Sequence, residues 1–508
     1  MDQKKSMKNS DKIECVLAVC GPVDAGKSSL IGVLTSGQLD NGRGLARNKI
    51  LVHPHERETG RTSHITYNPL VYNTNKDTSD SINLSNIKEK SDNLINFKLR
   101  GQKNPYANKV VSFIDLAGHE KYLKTTIFGV TGLFPDYGIV VIGANTGITK
   151  LTREHMGILL YLKIPFIITI TKVDLAPRHV YQNLCNQLKK LLGRNTYGKV
   201  LYFISDSEKN DDETDHYLTH MIGNPDIVPI ISISNTVGTN IENLHRILYN
   251  LQPRDKWGNT KTPGSVMYID GVFIVPGIGM VVSGTNKGNP IKLKQKMYLG
   301  PFNGQFKEVV VRSLHNSLKQ EVEETGSGVQ CCAAFKLTNQ KDKVERHQIT
   351  KGMVLIDDVS KYKNNVVSSF YARINVLHHS TTIKTGYSPV IHCGPIRQTA
   401  KIDLESVMPV DPKNEDKNIL RSGDNKVVKF VFCFHPEFIE ENMIFFFRDG
   451  TTKGVGQVLK ITDNLDGIDF SNIENKLLVK SNSNSTAREC NIVEREITES
   501  TMLVNNLQ

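Results

Sequence analysis

The chain predicts a doubly wound α/β domain with a mostly parallel sheet, followed by two all-β regions. Three observations predict it. From residue 13 to about 255, apolar runs of strand length alternate with helical patterns, as crossovers in a parallel sheet require. After Pro253 the pattern turns to short strands and glycine turns, an all-β signature. Between the first apolar run, Ile13 to Cys20, and the first helix lies the loop Gly21-Pro22-Val23-Asp24-Ala25-Gly26-Lys27-Ser28.

That loop reads G-x-x-x-x-G-K-S, and the phosphate chemistry needs those residue types. Gly21 and Gly26 let the backbone curl so that N–H groups, including those of Ala25 and Ser29, face phosphate oxygens. Lys27 reaches the outer phosphates and the Ser28 hydroxyl ligates Mg²⁺. The next strand-like run, Val110 to Ile114, ends in Asp115-Leu116-Ala117-Gly118-His119. An aspartate at the carboxyl end of a buried parallel strand holds a Mg²⁺-bound water, and Gly118 leaves an N–H free for the terminal phosphate. Between the two lies Glu58-Thr59-Gly60-Arg61-Thr62-Ser63, where Thr62 is the candidate to close over Mg²⁺.

Base choice follows from the later strands. Phe166 to Ile170 runs into Thr171-Lys172-Val173-Asp174, which resembles the N-K-x-D element of GTPases. There a buried aspartate pairs with two guanine donors that adenine lacks. Thr171 in place of asparagine removes an amide that braces the pocket, while Asp174 is retained. The strand Ile227 to Ile233 ends in Ser234-Asn235-Thr236, a turn placed to offer a backbone N–H to the base.

Taken in order, these elements resemble the G domain of translational GTPases, with elongation factor Tu and elongation factor 1-alpha as familiar members. Val23-Asp24 in the loop, His119 after Asp115-Leu116-Ala117-Gly118, and Thr152-Arg153-Glu154-His155 are the specific marks. Gly60-Arg61-Thr62-Ser63, Ala144-Asn145-Thr146-Gly147-Ile148 and Thr171-Lys172 give the likeness to the GTP-binding protein 1 and 2 subfamily. The resemblance implies GTP and GDP as ligands and Mg²⁺ held by Ser28 and Thr62 directly and by Asp115 through water. It implies that Val23, Asp24 and Gly118 line the terminal phosphate, and that His119 orients the attacking water. It also implies partners: the ribosome and aminoacyl-tRNA, or mRNA-decay factors if the role is surveillance or ribosome rescue. A nucleotide-bound scaffold with little catalysis is the rival of another class. Arg61 departs from the elongation factors, which place an apolar residue there.

Beyond the G domain (13–255), residues 262–360 and 366–462 are expected to form barrels resembling domains two and three of elongation factors. The first carries Val272 to Val275, the turn Pro276-Gly277-Ile278-Gly279, and Met280 to Gly284. The second carries Val427 to Phe434 and Met443 to Arg448 and closes on Arg448 to Gly456, with Thr451 where the family pattern has arginine. Polar insertions are expected near 73–106 and 205–215, a disordered start over 1–12 and a flexible tail over 463–508.

With 508 residues the chain supports two to four domains. Net charge is +11, from 63 basic against 52 acidic residues. This suits a surface meeting RNA phosphates, and equally a solubility feature. Lys287, Lys292, Lys294, Lys296 and Lys307 cluster in sequence around a barrel hairpin region, read as either a solvated face or an RNA contact. The eight cysteines lack paired metal spacing, and His53 and His55 have no second ligand pair. The polar opening and the lack of an 18-residue apolar stretch predict a cytosolic chain without a membrane span, and a monomer is expected.

Overall fold

In a computed structural model, the described residues are 12–51, 53–59, 62, 64–74, 82–84, 108–193, 196–204, 224–257, 264–339, 343–406, 419–450 and 452–462. Residues 1–11 of the expected start, most of the first insertion, all of the second, Arg61, Thr451 and the tail therefore lie outside the described residues.

The first region is an eight-stranded sheet with helices on both faces. Its strands are β1 (Lys12–Cys20), β2 (Thr66–Thr74), β3 (Ile82–Leu84), β4 (Asn108–Asp115), β5 (Tyr137–Gly143), β6 (Phe166–Thr171), β7 (Val200–Ile204) and β8 (Ile227–Ser232). Its helices are α1 (Lys27–Ser36), α2 (Leu45–Asn48), α3 (Pro54–Thr59), α4 (Leu123–Thr131), α5 (Lys150–Tyr161), α6 (Arg178–Leu192) and α7 (Ile241–Asn250). The strand order is β3-β2-β4-β1-β5-β6-β8-β7. Only β2 and β3 run antiparallel to their neighbours. β3 falls inside the polar insertion expected near 73–106, where Ile82–Leu84 pairs with β2 at the sheet edge.

β5 and β6 are buried along their whole length, as continuous apolar runs in a doubly covered parallel sheet must be. One face packs Leu17, Phe113 and Ile139 against α1 and α7; the other packs Ile114, Ile142 and Ile168 against α4 and α5. Because β1 lies between β4 and β5, successive crossovers diverge from it, and a crevice opens at the carboxyl ends of these strands. Register then fixes what reaches that crevice. Asp115 lies beside Val19, Thr171 beside Gly143, and Ser232 beside Ile170.

Two closed six-stranded antiparallel barrels follow. The first is built on Ser265–Val275, Gly279–Gly288, Lys296–Phe302, Gln305–Asn316, Gln330–Leu337 and Val354–Ile356. The Lys296–Phe302 strand pairs with Gln305–Asn316 to close the ring. The second is built on Ser369–His378, Val390–Cys393, Ile396–Asp403, Asn425–Phe432, Ile444–Asp449 and Thr452–Lys460. Its core is aromatic: Phe370 stacks on Phe430 at 5.4 Å, and Phe445 meets both edge-on.

Asp136 joins the first barrel to the α/β domain. Its carboxylate accepts from Val16 N at 2.7 Å and from Arg254 N at 3.0 Å, and pairs with Lys256 Nζ at 3.2 Å. Lys256 also donates to Gly328 O of the barrel. Beside it Trp257 meets Phe134 and Tyr268, and Lys287 lies over the indole while pairing with Glu440. Lys287 is thus buried in a junction, not on the basic face expected of it; Lys292, Lys294 and Lys296 are exposed. The second barrel docks on α4 and α5. Phe446 and Val455 enter the α/β core and Lys453 pairs with Glu154, while from the first barrel Lys351 lies 4.3 Å over Phe128 of α4.

Two histidines are locked neutral inside the α/β domain. Burial pushes His155 on α5 and His245 on α7 each down to about 3. Both imidazoles stay neutral in the folded chain but take up a proton below about 6.5 when unfolded. The unfolded state then binds more protons, so stability is lost as pH falls from about 6.5 toward 3, by about 1.4 kcal/mol per pH unit for each group. Both ring nitrogens of His155 are buried without a hydrogen-bond partner, so His155→Leu should fold at neutral pH. Urea unfolding followed by circular dichroism between pH 7 and 4.5 should show a slope shallower by about 1.4 kcal/mol per unit in the variant.

Candidate functional site

The crevice at the strand ends is a cavity of about 300 Å³. One end is made by the loop after β1 and the start of α1. Gly26 adopts a left-handed conformation with φ 90° and places no side chain on the helix N-terminus, so the first amides of α1 remain available to an anion. Val23, Asp24, Gly26, Lys27, Ser28 and Ser29 all line this end. Asp24 is exposed and has φ 59°, a left-handed turn residue that carries its side chain outward.

Lys27 is buried and donates to Pro22 O at 2.9 Å. Burial lowers its pKa, and the Asp115 carboxylate opposes that fall. Gly118 stands against it: a Cβ there would lie 2.2 Å from Lys27 Nζ and 2.8 Å from Pro22 O. No side chain fits, so the Gly118 backbone faces the cavity unscreened.

Behind Lys27, three oxygen-bearing side chains from three parts of the sequence converge. Ser28 Oγ donates to Asp115 Oδ2 at 2.7 Å and Thr62 Oγ1 donates to the same oxygen at 3.0 Å. The two hydroxyls are 2.8 Å apart. Asp115 is fully buried, and its other oxygen, Oδ1, has no hydrogen-bond partner. Burial raises its pKa, and Lys27, Ser28 and Thr62 each draw it back down. The buried Glu56 of α3 accepts from His53 N and from His64 N, two residues past Thr62. His119 is exposed on the cavity wall, and its Nδ1 accepts from Lys121 N at 3.1 Å, which caps the short helical turn Glu120–Tyr122.

At the other end stand Lys172, Asp174, Asn235 and Thr236. Asp174 is exposed at the rim, not buried as base discrimination leads one to expect, and Oδ2 accepts from Thr236 Oγ1 at 3.1 Å. Ser234 does not reach the wall; its Oγ accepts from Val237 N and Thr236 N and holds the turn. Thr171 also stands behind the wall. Its hydroxyl donates to Ala25 O at 2.6 Å, so a brace between the β6 end and the phosphate loop exists even without the asparagine amide. Gly21 packs against the Val141 carbonyl of β5, also outside the wall.

Sequence reasoning missed one wall of the cavity. Asp40, Gly42, Arg43, Gly44 and Arg47 line it between α1 and α2, and Leu175 lines it beside Asp174. Asp40 N donates to Asn235 O at 2.8 Å, tying this segment to the turn after β8. The Asp-Asn-Gly-Arg-Gly run from 40 to 44 was the available signal: turn residues carrying arginine next to a phosphate loop. The His53 and His64 rings lie 4.8 Å apart, tilted by 54°, and among the described residues no group of three or more His, Cys, Asp or Glu could hold a metal.

Comparisons with known proteins agree with this architecture. The elongation factor Tu GTP-binding domain model matches residues 14–254, and the elongation factor Tu C-terminal domain model matches residues 363–462. GTP-binding protein 1 of Xenopus laevis is 36% identical over 474 residues, covering 92% of this chain and 66% of that protein. GTP-binding protein 2 of Mus musculus is 34% identical over 469 residues, covering 90% of this chain and 71% of that protein. The chain thus spans about two thirds of the length of these relatives. The crystal structure of translation elongation factor SelB from Methanococcus maripaludis with the GTP analogue GPPNHP shares the fold. Its TM-score is 0.56 at 18% identity, over 89% of this chain and 80% of that one. With the strand order, the loop and the two barrels in place, the chain belongs to the elongation factor Tu-type family of GTP-binding proteins, as a relative of GTP-binding proteins 1 and 2.

Proposed function

We propose that the chain binds and hydrolyses GTP as a conformational switch in translation, with the ribosome and aminoacyl-tRNA as partners. The observation that carries this reading is the convergence of Ser28, Thr62 and Asp115 beside Lys27, at one end of a cavity whose other end holds Lys172 and Asp174. Two hydroxyls and a carboxylate with one unpartnered buried oxygen fit a hard divalent cation such as Mg²⁺. Bound there, Mg²⁺ supplies charge neutralisation at the phosphates.

The remaining roles belong to the chain's own groups. The α1 amides and Lys27 hold phosphate oxygens, and the Gly118 N–H meets the terminal one. Val23 and Asp24 flank that phosphate. His119 places a water by position and electrostatics, with no charge change required of it. Asp174 pairs with guanine N1 and N2, while Ser234 Oγ keeps the turn through Asn235 and Thr236 in shape. The first barrel offers a further contact surface: Phe273, Ile274 and Ile278 are exposed around its hairpin tip. The reading places the chain in the cytoplasm as a monomer; among the described residues no helix is long and apolar enough to cross a membrane.

Turnover measured with and without ribosomes tests the proposal. Ribosomes should raise GTP hydrolysis by about 10³-fold or more, as completing partners do in this reaction class. His119→Ala should keep nucleotide affinity within about two-fold while removing most of that stimulation, about 10²-fold or more. Equal turnover in the variant, or no stimulation of the parent chain, would remove the translational reading; binding of mRNA-decay factors in its place would favour surveillance.

Base recognition has its own test. Asp174→Asn should weaken GTP by about 100-fold, from loss of a charge-assisted bond pair, and improve binding of xanthosine triphosphate, whose O2 accepts from an amide. Thr171→Val leaves the Ala25 carbonyl unpaired and should weaken GDP by about 10-fold by calorimetry, at the cost of one buried hydrogen bond.

A further inference from the structure

We infer that Arg43 and Arg47 form a cationic clamp on the phosphate groups of the bound nucleotide, supplied by the α1–α2 connection and independent of the loop at 21–28. The inference rests on the nucleotide-binding reading above and adds two residues to it. Both arginines line the same cavity as Lys27 and Thr236.

The segment carrying them is built rather than loose. Asp40 Oδ1 accepts from Ala46 N at 2.9 Å, and Asn41 Oδ1 accepts from Arg43 N at 2.9 Å and Leu45 N at 3.3 Å. Asp40 N is tied to Asn235 O. Gly44 has φ 92°, and a Cβ at that position would lie 2.4 Å from Arg47 Nε. The Arg47 side chain therefore lies across the glycine, in space that another residue at 44 would fill.

Two further facts point to a ligand. Arg47 Nε is buried and has no hydrogen-bond partner, although a guanidinium is a poor group to leave unsatisfied. Of the carboxylates on the cavity wall, Asp40 Oδ1 accepts from Ala46 N, Asp174 Oδ2 accepts from Thr236 Oγ1, and Asp24 is exposed; none of these bonds involves either arginine. Two guanidinium groups on one cavity wall can donate to a phosphate, whose oxygens match the planar fork. Arg43 is exposed at the mouth, so it is free to swing onto the ligand.

The test uses the full chain and three probes: GDP, GMP and guanosine. By calorimetric or fluorescence competition, Arg43→Ala should weaken GDP by about 10-fold, and the Arg43→Ala/Arg47→Ala pair by about 100-fold. Guanosine binding should be unchanged. The slope of log Kd against log salt for GDP should flatten in the pair, because two cations no longer take part. Arg47→Lys keeps the charge but not the fork and should recover only part of the loss.

Unchanged GDP affinity in Arg43→Ala and Arg47→Lys would overturn the clamp. So would an equal loss for guanosine, which would mark a merely structural role at the turn. Arg43 is exposed, so its variant should fold whatever happens at position 47. A parent chain that binds no guanine nucleotide would instead sink the reading beneath this one, a result visible before any variant is made.

Discussion

The site depends on one buried negative charge. Asp115 is fully enclosed at the end of β4, where an isolated carboxylate is costly. It is tolerable because Lys27 and two hydroxyls converge on it. Each of these comes from a different place in the sequence, so the carboxylate draws together the phosphate loop, the segment at Thr62 and the centre of the sheet. The pull is mutual, since Lys27 is equally buried and equally in need of a counter-charge. A cation entering between them would meet oxygens already gathered.

A second carboxylate plays the corresponding part away from the site. Asp136 gathers two backbone amides and the Lys256 ammonium, and so fixes the linker that leads from the α/β domain into the first barrel. Around it, aromatic rings from all three regions meet: Phe134, Trp257, Tyr268 and Phe438. Polar fixation gives direction at this junction, and the rings supply apolar contact. The second barrel is attached differently, with Phe446 and Val455 inserted beneath α4 and α5 and ion pairing only at the margin.

How much of this was legible follows from where each constraint lies in the sequence. Residues 21–28 and Asp115 to His119 can be read because phosphate chemistry dictates residue types at adjacent positions. The strands of the sheet are legible because full burial demands unbroken apolar runs, as in β5 and β6. The Arg43 and Arg47 wall is not, because its place in the cavity depends on Asp40 meeting Asn235, a contact between the two ends of the domain. Lys287 misleads for a similar reason: in sequence it looks like its exposed neighbours, and only the fold sets Trp257 and Glu440 against it. The Thr171 brace is hidden too, since a threonine after a strand says nothing about the Ala25 carbonyl until the register is known.

The attachment of the second barrel has a mechanical consequence. α4 begins just after His119 and ends under that barrel, with Phe446 and Val455 packed against it and Lys453 reaching Glu154 on α5, while Lys351 of the first barrel rests on Phe128. A tilt of α4 must therefore either drag the barrel along or peel one lysine and two greasy side chains off the helix pair. The ionic half of that grip weakens as electrolyte rises, whereas the oily half does not. Stiffness at this joint is thus set partly by the surrounding solution as well as by the polypeptide.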